Sequence, residues 1–270
     1  FWGWLFEWSF VGVIYILLTL VMIYPLSMHL GSALNDRWDG CLHTWILSWD
    51  VHKLTNSPRN FFDGNIFWPH PLSLAYSDHL FASSLIALPV ILLSKNPLLG
   101  HNFVTIFSFV FSGLGMYLLV KELLGNRRAA FIAGFIYAFC PWRFGQLGHQ
   151  AQLLTYHWIP FTLFFLRRLV DKNRFIYMFL FSLFFVLQAL SSFYLSVLVA
   201  VAVVVSLFCD IILRRNYFNL SLYLKLLLSA LIISILVIPF MIPYYQLKEK
   251  MGFKRSEKEC IELSADPQDY

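Results

Sequence analysis

Apolar residues in this chain come in long runs, and the polar residues between them gather into a few short segments and one long one. Runs at about residues 8–28, 102–120, 129–141, 153–169, 175–190, 193–213 and 222–246 predict helices. Several approach the length of about 20 residues that a helix needs to cross the hydrocarbon core. None alternates apolar and polar positions as an outer-membrane strand does, so helices rather than a barrel are expected. A further run, residues 80–94, is shorter and has Pro89 inside it, which fits a re-entrant or interfacial helix as well as a span.

Positive charge decides between the two counts, because Lys and Arg in short loops stay on the cytoplasmic side. If residues 80–94 do not cross, Lys121, Arg127 and Arg128, then Arg167, Arg168, Lys172 and Arg174, then Arg214 and Arg215 all share one side. The expected fold is therefore all-α: a polytopic transmembrane helical bundle of seven spans with a cytoplasmic N-terminus. Residues 29–101 form a long outer loop carrying amphipathic juxtamembrane helices. The whole of residues 1–270 reads as one transmembrane domain in the inner (plasma) membrane.

Composition agrees. The chain is 59% hydrophobic and 13% charged, where a soluble domain carries roughly 25% charged residues, and its mean hydropathy of +0.67 excludes an ordinary water-soluble fold. The net charge of +5 sits mostly in Arg and Lys pairs between apolar runs, which suits anionic headgroups rather than nucleic acid. Cys41, Cys140, Cys209 and Cys260 show neither a CxxC pair nor a His/Cys ligand spacing, so no zinc site or disulfide framework is read from them. The opening FWGWLFEW lacks the basic flank and cleavage site of a signal peptide. Phe1 in place of Met, and a polar stretch running out to Tyr270, lead us to expect the N-terminal part of a longer protein. No repeat is evident, and the runs hold almost no ionisable residue, which argues against a channel or pump.

The outer loop concentrates the chemistry. It holds Asp36, Asp39, Asp50, Asp63 and Asp78 with His43, His52, His70 and His79. Within it Leu42, Trp45, Ile46, Trp49 and Leu54 recur at helical spacing and predict an amphipathic helix over residues 41–54, lying along the membrane surface. Asp39 then falls at the helix start, where a carboxylate both caps the helix and is favoured by its dipole. An Asp before Gly at such a place is commonly a cap and nothing more. Five acids beside four histidines, however, supply general bases and metal ligands together. Two further polar sites are expected outside. After the third run, Arg143 is placed to neutralise a phosphate, or to snorkel to the headgroups, while His149 and Gln152 suit a hydroxyl-rich or phosphorylated ligand. Beyond the last run, Lys248, Lys250, Lys254 and Arg255 put positive charge on the disfavoured side, as contact with an anionic headgroup or pyrophosphate would require.

A set of strings carries a resemblance. They are Asp39-Gly-Cys-Leu-His-Thr-Trp-Ile-Leu-Ser-Trp-Asp50, Asn65-Ile-Phe-Trp-Pro-His-Pro71, Ala75-Tyr-Ser-Asp-His79, the helix-turn Ser112-Gly-Leu-Gly-Met-Tyr-Leu118, and Gly148-His-Gln-Ala-Gln-Leu-Leu154 with Trp158-Ile-Pro160. Together they resemble the bacterial membrane glycosyltransferases of the C superfamily, in particular members related to protein O-mannosyltransferases and lipid A aminoarabinose transferases. The resemblance runs down to Arg255-Ser256 and Ser264-Ala-Asp-Pro267.

It implies a helical enzyme that moves a sugar, with inversion, from a polyprenyl-phosphate donor to a glycan, lipid or protein acceptor on the outer face. By position the family's catalytic base matches Asp39. Asp36 is the runner-up, because the family usually has Gly before the Asp where this chain has Trp38. Many relatives carry an Asp/Glu pair with a divalent metal in the second outer loop; His149 and Gln152 stand there instead, which argues against metal dependence. Arg143 with Lys248 or Arg255 is expected to hold the leaving phosphate, and Asp78, His79 and His70 to position substrate. Two other readings compete: a non-enzymatic flippase or transporter of a lipid-linked sugar, which predicts charge deep in the bundle, and an assembly protein whose loop binds partners through Trp45 and Trp49.

Overall fold

The computed structural model describes residues 2–147, 154–213 and 219–252, together with residues 258 and 261. Among the described residues every regular element is helical: α1 (Trp2–Met22), α2 (Asp39–Asn56), α3 (Phe81–Ser94), α4 (Pro97–Leu124), α5 (Arg127–Ala138), α6 (Pro141–Gly145), α7 (Trp158–Lys172), α8 (Phe175–Ser191), α9 (Phe193–Leu213) and α10 (Leu220–Met251). Three of these, α4, α9 and α10, are long and apolar enough to cross a membrane. Shorter apolar helices cover Glu7–Met22, Phe81–Ser94 and Phe175–Ser191. The spans expected at 129–141 and 153–169 form α5 and α7, of 12 and 15 residues, each shorter than the roughly 20 that a perpendicular span requires.

Helix α4 is the centre of the molecule and packs against α1, α2, α3, α5 and α7. It starts at Pro97, ahead of the expected residue 102. Proline tolerates the first turn, and the Asn96 side chain accepts from the Leu99 amide at 3.2 Å. Gly125, at φ +66°, ends it in the left-handed conformation that glycine allows. The string from Ser112 to Leu118, expected as a helix-turn, lies inside α4 as uninterrupted helix. Its glycines serve packing: a Cβ on Gly113 would meet the Tyr15 ring at 2.8 Å, and one on Gly115 would meet Phe161 at 2.8 Å. Tyr15 continues across to α5, donating to the Phe131 carbonyl at 2.9 Å.

Helix α8 gathers α7, α9, α10 and the start of α3. The outward faces of α9 and α10 are exposed and apolar, with Val204, Phe208, Leu227, Leu231 and Ile235 among them. A continuous surface of that kind belongs against lipid rather than water.

The bundle has two chemically different ends. At one, the start of α1 meets the end of α4 through Glu7 and Lys121, and the end of α7 meets α4 and α9 through Arg168–Glu122 and Arg167–Asp210. At the other, the segment after α1 is tied to α4 by Asn102, whose amide donates to the carbonyls of Leu30 and Ala33. Both ends of α3 belong there: Phe81 packs on Phe240 of α10 at 4.9 Å, and Asn96, just beyond its C-terminus, donates to the Gly31 carbonyl.

Candidate functional site

Helix α2 begins the site. The Asp36 carboxylate accepts from the backbone amides of Asp39 at 2.8 Å and Gly40 at 3.3 Å. The cap expected from Asp39 is thus supplied by Asp36. Slight desolvation works against ionisation of Asp36, but the amides of Trp38, Gly40, Asp39 and Arg37 outweigh it and hold the carboxyl below its usual range. Asp39 itself is the first helical residue, half-buried at the positive end of the helix dipole.

The buried stripe of α2 is not the one that the apolar residues alone predict. His43, Thr44, Ile46, Leu47, Asp50 and Val51 face inward, whereas Trp45 and Trp49 are half-buried and carry the loop that follows. Their indole N–H groups donate to Asn65 Oδ1 at 3.0 Å and to the Phe61 carbonyl at 3.1 Å. His43, one turn on from Asp39, lies within electrostatic reach of His101 from α4.

Asp50 is wholly buried. Its Oδ2 accepts from Ser84 Oγ at 2.6 Å, while Oδ1 has no partner. Burial pushes this carboxyl well above its usual range. Nearby, burial also raises the carboxyl of Asp78, against donation from the Ser192 hydroxyl at 3.0 Å and the Phe193 amide. His79 is 1% exposed. The Phe81 amide donates to its Nδ1 at 3.2 Å, so the neutral ring carries its proton on Nε2, which is buried without a partner. Burial lowers this histidine to a pKa of about 3. Phe62, Phe193, Phe240 and Tyr244 surround it at ring distances of 5.0 to 6.2 Å. Tyr244 donates to the Ser77 carbonyl at 2.8 Å and feels the charges of both Asp78 and Asp50. An acid from α2, an acid and a histidine before α3, and a tyrosine from α10 therefore converge.

Behind this cluster an apolar groove of about 630 Å³ runs between α9 and α10, lined by Val197, Ile238 and Met241 among others. Phe193 and Tyr244 belong to both the groove and the cage round His79, and the exposed Lys248 stands at its end. The structure thus brings together Asp78, His79 and, through Tyr244, Lys248. His70 is left apart, exposed on a turn beside the outward-facing Phe67 and Trp68. His149, Gln152 and Arg255 lie outside the described residues.

Arg143 requires a correction. It does not snorkel to the headgroups: it is wholly buried, donating to Ser112 Oγ, Ser108 Oγ and the Leu154 carbonyl at 2.6 to 3.0 Å. Its guanidinium is sandwiched between Phe109 at 3.9 Å and Tyr156 at 4.6 Å. The short helix α6 turns the side chain inward onto the middle of α4, so the bundle interior does contain a charge. The ring nitrogens of His157, which lies within electrostatic reach of Arg143, and the indole N–H of the adjacent Trp158 are also buried without partners.

Asp50 and Tyr244 are the residues that the sequence pattern passed over as site groups. For Asp50 the signal was present: it falls on the same helical stripe as Ile46, Leu47 and Val51. Tyr244 had none beyond its neighbour Pro243. Among the described residues no three His, Cys, Asp or Glu side chains gather as a metal-binding group. No family model, curated protein or solved structure matches this chain.

Proposed function

We propose that this chain is a polytopic glycosyltransferase of the inner (plasma) membrane, which moves a sugar from a polyprenyl-phosphate donor to an acceptor on the outer face. The observation that carries the reading is the apolar groove between α9 and α10. It has the dimensions and lining for an isoprenoid chain, ends at a cation, and shares two aromatic walls with a buried set of acids and a histidine. The resemblance of the loop strings to the C superfamily supports the same class.

In this reading the Asp39 carboxylate takes the proton from an acceptor hydroxyl or amine as that atom attacks the anomeric carbon. The bond from that carbon to the phosphate oxygen breaks with inversion, and Lys248 and Arg255 hold the departing phosphate. Asp39 is taken as the base because its position in the loop string matches the family's, while Asp36 serves as the cap of α2. Asp78 and the Nε2–H of His79 position the sugar. This reading keeps the expected topology, in which the basic end is cytoplasmic and α3 returns to the side from which it started.

The test is transfer of labelled sugar from polyprenyl-phosphate donors by full-length protein in membranes. Asp39→Asn is expected to lower transfer by about 10²- to 10⁴-fold at unchanged expression. Asp36→Asn keeps an acceptor oxygen for the cap and is expected to retain most activity; loss confined to this variant would move the base to Asp36. Absence of transfer by the wild type from any donor would favour the flippase reading, which the buried Arg143 also fits. Topology is checked separately with a protein retaining Cys41 as its one cysteine. Cys41 is exposed on α2, and a membrane-impermeant thiol reagent is expected to label it from outside intact cells.

A further inference from the structure

The opposite end of the bundle carries a second groove, and it points to a different ligand. We propose that an anionic diacyl phospholipid is held in the cleft between α1 and α5, with its phosphate on Arg127 and Arg128. The cleft measures about 650 Å³ and is walled by Phe10, Val11, Phe131 and Ile132. Phe10 and Ile132 are 59% and 57% exposed, so the slot opens sideways from the bundle, in the direction from which an acyl chain would enter. Tyr117 of α4 also lines it, and the wall residue Phe131 is stacked on the buried Tyr15 at 5.3 Å.

The slot leads to a polar head. Arg127 and Arg128 line it and also line an adjoining hollow of about 450 Å³ bounded by Gly125 and Asn126. The local charge is unbalanced. Glu7 accepts from Tyr117 and Lys121 through one oxygen and pairs with Arg127 at 2.9 Å through the other, so a single carboxylate meets two cations, and Arg128 beside them adds a third positive charge. Arg127 remains 73% exposed despite that pair, and Arg128 is exposed as well. The first amides of α5 are already taken, since Asn126 Oδ1 accepts from Arg128 and Ala129. An anion here is therefore bound by guanidinium groups, whose fork matches phosphate oxygens.

Charge complementarity selects an anion, and the contiguous apolar slot selects one with acyl chains. The groove at the other end adjoins buried, unpartnered acid and histidine atoms. Among the described residues the one acid lining this groove is Glu7, with both oxygens engaged. It is accordingly a place for binding without reaction, where a bound lipid bridges α1 and α5.

The experiment uses full-length protein in a nonionic detergent, comparing dioleoylphosphatidylglycerol, dioleoylphosphatidylcholine and inorganic phosphate by native mass spectrometry and thermal unfolding. Phosphatidylglycerol is expected to be retained and to raise the unfolding midpoint, with phosphatidylcholine and phosphate doing neither. Arg127→Gln with Arg128→Gln should weaken retention about 10- to 30-fold. Arg174→Gln, which removes charge from the same end but outside the cleft, should not change it. Should the double variant fold poorly, Ile132→Trp fills the slot while keeping both arginines, and is likewise expected to reduce retention. Equal retention of the two lipids, retention indifferent to these changes, or equal stabilisation by phosphate alone would overturn the proposal.

Discussion

The two ends of the molecule treat charge in opposite ways. At the basic end, carboxylates meet cations: Glu7 with Lys121 and Arg127, Glu122 with Arg168, Asp171 and Asp210 with Arg167. At the other end Asp50 and Asp78, and in the interior Arg143, are held by hydroxyls and backbone groups, and Asp50 Oδ1, His79 Nε2 and Arg143 Nε are buried without partners. Paired charges at helix ends hold elements together and fix which side they face. Buried groups without charge partners cost stability, and folds concentrate them where binding or proton transfer uses them. That contrast is why sugar transfer is proposed for one end and lipid binding for the other.

Arg143→Lys should give the largest stability effect of the changes that break this contrast. A lysine cannot reach Ser108, Ser112 and the Leu154 carbonyl from between two rings, and it leaves buried acceptors without a donor. A loss of about 3 kcal/mol is expected in chemical or thermal unfolding in detergent. Glu7→Gln at the paired end is the control, expected to be milder and to leave sugar transfer unchanged.

A second effect appears in pH. With a pKa near 3 in the fold against an ordinary 6.5, His79 binds a proton in the unfolded chain before it does so in the native one. Its contribution is constant above about pH 6.5 and is lost as pH falls from there toward 3, at roughly 1.4 kcal/mol per unit. Between pH 6.5 and 5 the wild type should lose about 2 kcal/mol more than His79→Gln, measured as the difference in unfolding midpoints. Equal pH slopes for the two proteins would remove His79 from the buried cluster.

Asp50→Asn should have the smallest effect, because the raised pKa of the carboxyl favours its protonated form and an amide resembles that form. The sign is opposite to that of His79: the fold favours protonated Asp50, so the wild type loses stability as pH rises above the ordinary value of 3.8. The variant lacks that loss, and near pH 4 the two should agree within about 1 kcal/mol.

Local pattern made much of this legible. Hydropathy located the apolar runs, including the three helices with the length to span, because burial in lipid imposes composition over whole segments. The loop helix was readable from its 3.6-residue spacing, Asp78 and His79 from the acids and histidines gathered in the loop, and Lys248 from positive charge on the disfavoured side. The loop acids did not declare their roles. Asp39 was the expected cap of α2, and only backbone geometry gave the cap to Asp36.

What the sequence by itself determined, then, is the helical class, the gathering of positive charge in the short segments between apolar runs, and the segment that carries the acids and histidines. The tertiary structure decided which of those groups are buried and what they meet. Ser84 reaches Asp50 across 34 positions, Ser192 reaches Asp78 across 114, and Tyr244 reaches Ser77 across 167. Arg143 turned inward because α6 aims it at serines 31 and 35 residues back on α4. Periodicity records what each residue's own helix buries. It carries no record of which distant helix arrives on that face, and burial, protonation and contact depend on that arrival.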